Sequence, residues 1–176
     1  FVHFDQTKIG VLAINRVLWY SIETGTFLNN GPVFKDILPK RIKMIDSLTY
    51  SVYTNNSYND FYCHDFLFTD LDGEIIDRQN KVNKRFRNIF IKNKTPFGGN
   101  ENYYSQYNDT LYTYEASGLK PKYLFDFENR RLPKNLYPKS TSEYEKFIGE
   151  VFKEGKTFGL IDVYGTTDHL FYRFHL

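Results

Sequence analysis

Short runs of β-favouring residues, each closed by a turn signal after about eight to twelve residues, leave this chain few architectures to fold into. Residues 8–15 (KIGVLAIN) and 16–23 (RVLWYSIE) are two such runs, and 22–27 (IETGTF) reads as strand, turn at Thr24 and Gly25, and next strand. Pro32 and Pro39 bracket a predicted loop, and 41–45 and 48–53 flank Asp46 and Ser47 as a two-residue hairpin. Residues 53–60 (YTNNSYND) form a polar loop. Then 61–69 (FYCHDFLFT) and 74–77 are strands around Asp72 and Gly73, which suit a type I′ turn because both positions tolerate positive φ. Further strands are expected at 86–91, 103–107, 110–115 and 122–127, with a loop at 95–102 (TPFGGNEN). Turns fall at Asn108 and Asp109 and at Ser117 and Gly118. Residues 157–163 and 169–175 close the chain as strands around Gly165.

One segment has a different period. From Ser142 to about Glu154, Tyr144, Phe147, Ile148, Val151 and Phe152 form one apolar stripe at helical spacing. Ser142 and Glu145 read as an S-x-x-E capping box, and Gly155 as the stop. The fold class is therefore all-β, antiparallel strands with one amphipathic helix. The spacing favours β-propeller blades over a sandwich or a barrel. Blades run to about 40–50 residues, so the 176 residues are expected to form a single domain of about four blades of a larger propeller. The sequence opens and ends inside strand-like runs, so a preceding segment is expected to be missing. An incomplete propeller exposes blade faces and is expected to be marginally stable or to associate.

Composition narrows the function. Hydrophobic residues make up 41%, which excludes a disordered chain. Aromatic residues reach 19%, with 17 Phe and 15 Tyr; this excess suits sheet packing, or a ring-lined ligand surface for sugars. A net charge of +2 gives no reason to expect nucleic acid. No apolar run approaches the ~20 residues of a membrane-spanning helix. The single cysteine, Cys63, rules out an internal disulfide.

Residues 108–133 (NDTLYTYEASGLKPKYLFDFENRRLP) carry a recognisable pattern. Asp109, Thr110, Leu111 and Tyr112 make a D-T-hydrophobic-Tyr strand. Pro121, Tyr123, Asp126 and Phe127 make P-x-Y-x-x-D-F, and Leu132 and Pro133 follow before a helix. The segment resembles the six-bladed β-propeller proteins of Bacteroidetes, with the hairpin at 69–76 in the expected order. Two features depart from that family: Glu128 stands where its members often carry glycine, and its G-x-G-P-x-E motif is absent. The resemblance implies an extracytoplasmic protein, in the periplasm or at the cell surface and often lipid-anchored, and supplies no catalytic residues.

No catalytic, cofactor or metal site is expected from the residues themselves. Asp70, Asp72 and Glu74 imitate a calcium loop but fall short of its six or so ligands. His169 and His175 would stand about 20 Å apart on a strand, and Cys63 and His64 point to opposite faces. Asp60, Asp65, Asp126 and Glu128 are available as a hydrolytic carboxylate pair, without any spacing that brings two together. Two surfaces are candidates for ligands. The first is rich in rings and amides: Tyr53, Asn55, Asn56, Tyr58 and Tyr62, then Asn100, Asn102, Tyr103, Tyr104 and Tyr107. Such residues stack on sugars and bond their hydroxyls. The second runs from Arg78 to Lys94 with seven cations and no acid, centred on Lys81, Lys84, Arg85 and Arg87, and suits a polyanion such as an acidic polysaccharide. The reading is a non-enzymatic binding or scaffold protein of the cell envelope, with glycan or protein as ligand and an open oligomeric state. The alternative is a polysaccharide hydrolase or lyase on a propeller scaffold.

Overall fold

The computed structural model describes residues 2–3, 7–54, 63–82, 97–98, 102–104, 108–115, 118–157, 160–165 and 169–174. The chain divides into two units, Phe1–Lys81 and Val82–Leu176. In the first, β1 (Val2–His3), β2 (Lys8–Ala13), β3 (Arg16–Ser21) and β4 (Phe27–Val33) make one antiparallel sheet in sequence order. A second sheet follows the same rule with β5 (Arg41–Met44), β6 (Tyr50–Tyr53), β7 (His64–Thr69) and β8 (Ile75–Lys81). In the second unit, β9 (Phe97–Gly98), β10 (Asn102–Tyr103), β11 (Thr110–Glu115) and β12 (Gly118–Leu124) form a third meander, and β13 (Leu160–Gly165) pairs with β14 (Leu170–Phe174). Within each unit the first strands of successive sheets approach one another, β1 beside β5 and β9 beside β13. Up-and-down four-stranded sheets with converging first strands are propeller blades.

The two sheets of the first unit meet over one core. Val17 and Trp19 alternate inward from β3, Phe34 and Ile37 come from the connecting segment, and Ile42, Tyr50, Val52 and Leu67 come from the second sheet. The Trp19 ring fits because both flanking strands lack a side chain beside it. A Cβ on Gly10 would lie 2.8 Å from Trp19 Cζ3, and one on Gly31 2.5 Å from Trp19 Nε1. The opposite face of the second sheet, with Ser51, Tyr53, Phe66 and Phe68, is buried too. That double burial is confined to the central strands β6 and β7, in which every residue but His64 is buried.

Side chains fix the connections. Asn15 ends the β2–β3 hairpin, accepts the Phe34 amide at 2.7 Å and returns Nδ2–H to the Phe34 carbonyl at 3.4 Å. Its neighbour Ile14 has φ 57°, a left-handed conformation that a β-branched residue adopts at a cost of about 1–3 kcal/mol. The β7–β8 turn differs from the expected type I′. Asp70 Oδ1 accepts both the Asp72 and Glu74 amides, at 3.0 and 2.9 Å, so the loop spans 70–74 and only Gly73 takes positive φ. Gly73 is required there, since a Cβ would stand 2.5 Å from the Val33 carbonyl oxygen. The β5–β6 loop likewise spans 45–49, because Asp46 Oδ1 accepts the Leu48 amide at 2.8 Å. Pro32 lies inside β4 and Pro121 inside β12. Both are edge strands, where a missing N–H goes unnoticed.

The helix, α1 (Thr141–Lys153), starts one residue earlier than expected. Its cap is Ser140, whose Oγ accepts the Glu143 amide at 3.3 Å while Glu143 Oε2 accepts the Lys139 amide at 2.9 Å. The sequence STSEYE holds two S-x-x-E frames, and the earlier one is used because it captures this second amide. Gly155 at φ 60° and a Lys156 N–H to Val151 carbonyl bond of 3.1 Å form a Schellman end. The stripe of Tyr144, Phe147, Ile148 and Val151 packs on Leu132 and Tyr137, giving the helix its own small core. A separate cluster joins Tyr104, just after β10, to Leu111 of β11 and to Leu160 and Val163 of β13. The strand expected at 86–91 lies outside the described residues.

Glu128 occupies φ 47°, stabilised by its amide donating to Asp126 Oδ1 at 2.8 Å. Glycine adopts that left-handed backbone at little cost, whereas a residue with a side chain is strained there. Glu128→Gly should therefore raise stability by about 1 kcal/mol, read as a higher denaturation midpoint. Gly31→Ala should do the reverse. Its methyl group displaces the Trp19 ring, lowering stability by about 1–3 kcal/mol and red-shifting the emission of the chain's single tryptophan.

Candidate functional site

The seam between the two sheets of the first unit opens into two clefts. The first, of about 420 Å³, is lined by Lys8, Trp19, Asn30, Tyr50, Leu71 and Asp72 among others. β2 and β3 supply Lys8 and Trp19, β4 supplies Asn30, and the Asp70-capped turn supplies Leu71 and Asp72. Lys8 Nζ lies 5.4 Å from the Trp19 ring centroid, a cation–π distance. Burial pushes the Tyr50 phenol up to about 12. An ammonium, a carboxylate and an amide thus share one depression, and the core rings of Trp19 and Tyr50, 5% and 2% exposed, lie at its base. Such a set can hold a polyhydroxylated ligand by hydrogen bonds around a ring contact.

The second cleft, of about 540 Å³, has a different chemistry. Leu12, Ile14, Leu38 and Ile42 line it with Lys40 and Arg41, and among the described residues no acid contributes to its wall. Ile14 and Leu38 are 80% and 52% exposed, so its apolar surface is open to solvent. Arg41 Nη1 donates to the Lys40 carbonyl at 2.9 Å, which steadies the guanidinium.

A polar corner lies where β7 starts and β8 ends. Asp65 is 3% exposed and accepts from Asn80 Nδ2 at 2.9 Å, with Asn80 itself at φ 56°. Thr54 Oγ1 donates to the His64 carbonyl at 2.7 Å, and Cys63 Sγ lies 3.8 Å from His64 Nδ1. Burial lowers the His64 pKa, and the positive charges of Arg78 and Lys81 lower it further. The first cations of the basic stretch therefore reach this histidine.

The residues singled out by sequence fall in several places. Tyr53, Asn102, Tyr103 and Tyr104 are all buried, none more than 7% exposed. Tyr53 packs against Phe66 at 5.4 Å between ring centroids, Tyr103 against Tyr114 at 6.4 Å, and Tyr104 lies in the cluster around Leu111. These rings are buried because both faces of their segments are covered: every residue of β6 is buried, and so are the adjacent Asn102, Tyr103 and Tyr104. Asn55, Asn56, Tyr58 and Asn100, like Lys84, Arg85 and Arg87, lie outside the described residues; Lys81 is exposed. Asp70 is spent on backbone amides, and among the described residues no group of three His, Cys, Asp or Glu side chains converges as metal ligands do. Sequence reasoning missed both clefts, because each draws on strands and turns from two sheets. The one legible hint was a single tryptophan with glycines at positions 10 and 31.

Consecutive antiparallel meanders with converging first strands define a β-propeller protein. The chain belongs to the family described as 6-bladed beta-propeller, whose profile matches residues 1–176. Its fold is similar to the crystal structure of a Bacteroides fragilis protein provisionally named as exported. The two are 17% identical with a TM-score of 0.73, over 99% of this chain and 50% of that one. This chain thus spans half the length of its structural neighbour. No curated protein matches it. No helix among the described residues is long and apolar enough to cross a membrane.

The His64 corner has a testable pH signature. A histidine whose folded pKa lies below its ordinary 6.5 binds fewer protons folded than unfolded between the two values. Its contribution to stability is complete above 6.5 and is lost as pH falls through the folded pKa. Urea midpoints should decline on acidification below about 6.5, and His64→Gln should flatten that part of the curve.

Proposed function

We propose that this chain serves a non-enzymatic binding or scaffold protein of the bacterial cell envelope, working outside the cytoplasm, with glycan as the ligand of the Lys8–Trp19 cleft. The observation that carries the reading is the convergence of Lys8, Trp19, Asn30, Tyr50 and Asp72 on one depression. An aromatic ring with amide, hydroxyl and carboxylate groups around it is the chemistry that recognises a sugar's apolar face and its hydroxyl rim. The compartment is supported by the provisional export of the structural neighbour and by the family resemblance. Asn55, Asn56, Tyr58 and Asn100 stay in the proposal as further contacts for neutral sugars. Lys81, Lys84, Arg85 and Arg87 stay as contacts for acidic ones, on the strength of their side-chain chemistry.

Trp19 makes the test simple, because its emission reports on the cleft it lines. A panel of neutral and acidic polysaccharides is titrated while emission and Tm are followed. One glycan class should alter both. At 100 times its Kd it should stabilise by about 2.7 kcal/mol, a Tm rise on the order of 5–10 °C. Lys8→Ala should weaken that response. If neither quantity moves with any glycan, the sugar site is ruled out and protein becomes the ligand class.

A further inference from the structure

The outer strands of the four sheets are not alike. β4 carries Pro32 with Asn29 and Asn30, β8 carries Asp77, Arg78 and Lys81, and β12 carries Pro121 between Lys120 and Lys122. Proline and charge at an edge keep it from pairing with another chain. β14 runs Leu170, Phe171, Tyr172, Arg173, Phe174, with neither proline nor lysine, and Phe171 and Tyr172 are 59% and 49% exposed. Among the described residues its sheet has two strands where the other three have four. A two-stranded hairpin is marginal in water and gains from a further strand.

The packing beneath β14 shows what a further strand would cover. Leu170, Tyr172 and Phe174 alternate toward the third sheet. Leu170 joins the cluster around Leu111, and the Tyr172 and Phe174 rings lie 4.8 and 5.2 Å from those of Phe125 and Phe127. In the first unit Phe34 and Ile37, which follow the outer strand β4, are at most 2% exposed, in a core that includes Leu67 from β7, the third strand of the next sheet. Phe125 and Phe127 follow the outer strand β12 in the same way, yet they are only partly buried, and their next sheet has no described third strand. We propose that β14 pairs with β14 of a second copy of this chain, antiparallel and centred on Tyr172. The segment is self-complementary in that register: Tyr172 faces Tyr172 and Leu170 faces Phe174, all on one side of the sheet. The two-fold axis joins the hairpins as β13-β14-β14-β13, which restores the four strands of the other sheets and extends the seam core across the axis. Pairing consumes both edges, so association stops at two. Five residues from each copy make a small contact, so the dimer is weak and concentration-dependent. The glycan reading is independent of this interface.

The test follows the full chain by sedimentation velocity across the micromolar range. A monomer–dimer equilibrium should appear. Amide exchange at residues 170–174 should slow as concentration rises, while β4, β8 and β12 exchange at an unchanged rate. Tyr172→Lys and Tyr172→Glu should each weaken the dimer about tenfold or more, since each sets like charges opposite one another on the axis. An equimolar mixture of the two variants should dimerise again, because opposite charges then meet there. That rescue singles out a second copy in this register. The proposal is overturned if the unsubstituted chain stays monomeric, if species larger than a dimer form, if exchange at 170–174 is independent of concentration, or if the mixture of folded variants dimerises no better than either alone. Should a variant not fold, exchange in the unsubstituted chain decides by itself.

Discussion

The seam of the first unit rests on a steric permission. An indole buries on the order of 200 Å², worth about 5 kcal/mol at the usual area coefficient, but only where neighbouring strands leave it room. Gly10 opposes Trp19 across the β2–β3 ladder, and Gly31 leaves the other end of the ring clear. With the ring between them, Val17 and Trp19 present a continuous face to Ile42, Tyr50, Val52 and Leu67. Phe34 closes the seam edge-on to Tyr50, with ring centroids 6.5 Å apart. The exposed Lys35–Glu74 ion pair at 2.9 Å crosses between the same sheets and adds little, since water competes for both groups.

Both clefts follow from how this seam is built. Two twisted sheets packed face to face match along their middles and diverge at their ends. The divergence at one place is floored by the Trp19 ring itself, which ties ligand chemistry to the residue that holds the sheets together. At the other it is walled by a hairpin tip and by the start of β5, neither of which contributes to the shared core through Ile14 or Arg41. The first cleft is therefore costly to alter and the second is not.

Much of the architecture was legible in the sequence because its signals are local. Gly, Asp and Asn punctuation gave the hairpins, and the stripe from Tyr144 to Val151 gave the helix. The pattern from Asp109 to Phe127 pointed to the family, and its first and last residues sit in fold-defining contacts. Asp109 pairs with Arg131 at 3.3 Å, and Phe127 packs on Phe174 at 5.2 Å. What sequence could not give was set by competition. Asp70 outbid a two-residue turn by capturing two amides, and Ser140 outbid Ser142 as helix cap by bringing Glu143 to a second amide. The tyrosines expected at a surface were drawn into packing, because a ring on a short strand gains more from an apolar neighbour than from water. The clefts escaped notice since they exist only where residues far apart in sequence meet.

A sheet buried on both faces, as β6 and β7 are, has no neutral side on which mutations can accumulate. In such a protein drift is channelled to the hairpin tips. There Ile14 and Leu48 stand mostly exposed, and a new side chain meets water instead of a packed neighbour. Lineages built on this scaffold can exchange one ligand for another by rewriting a few tip residues, while the strands beneath record common descent long after the functions have parted.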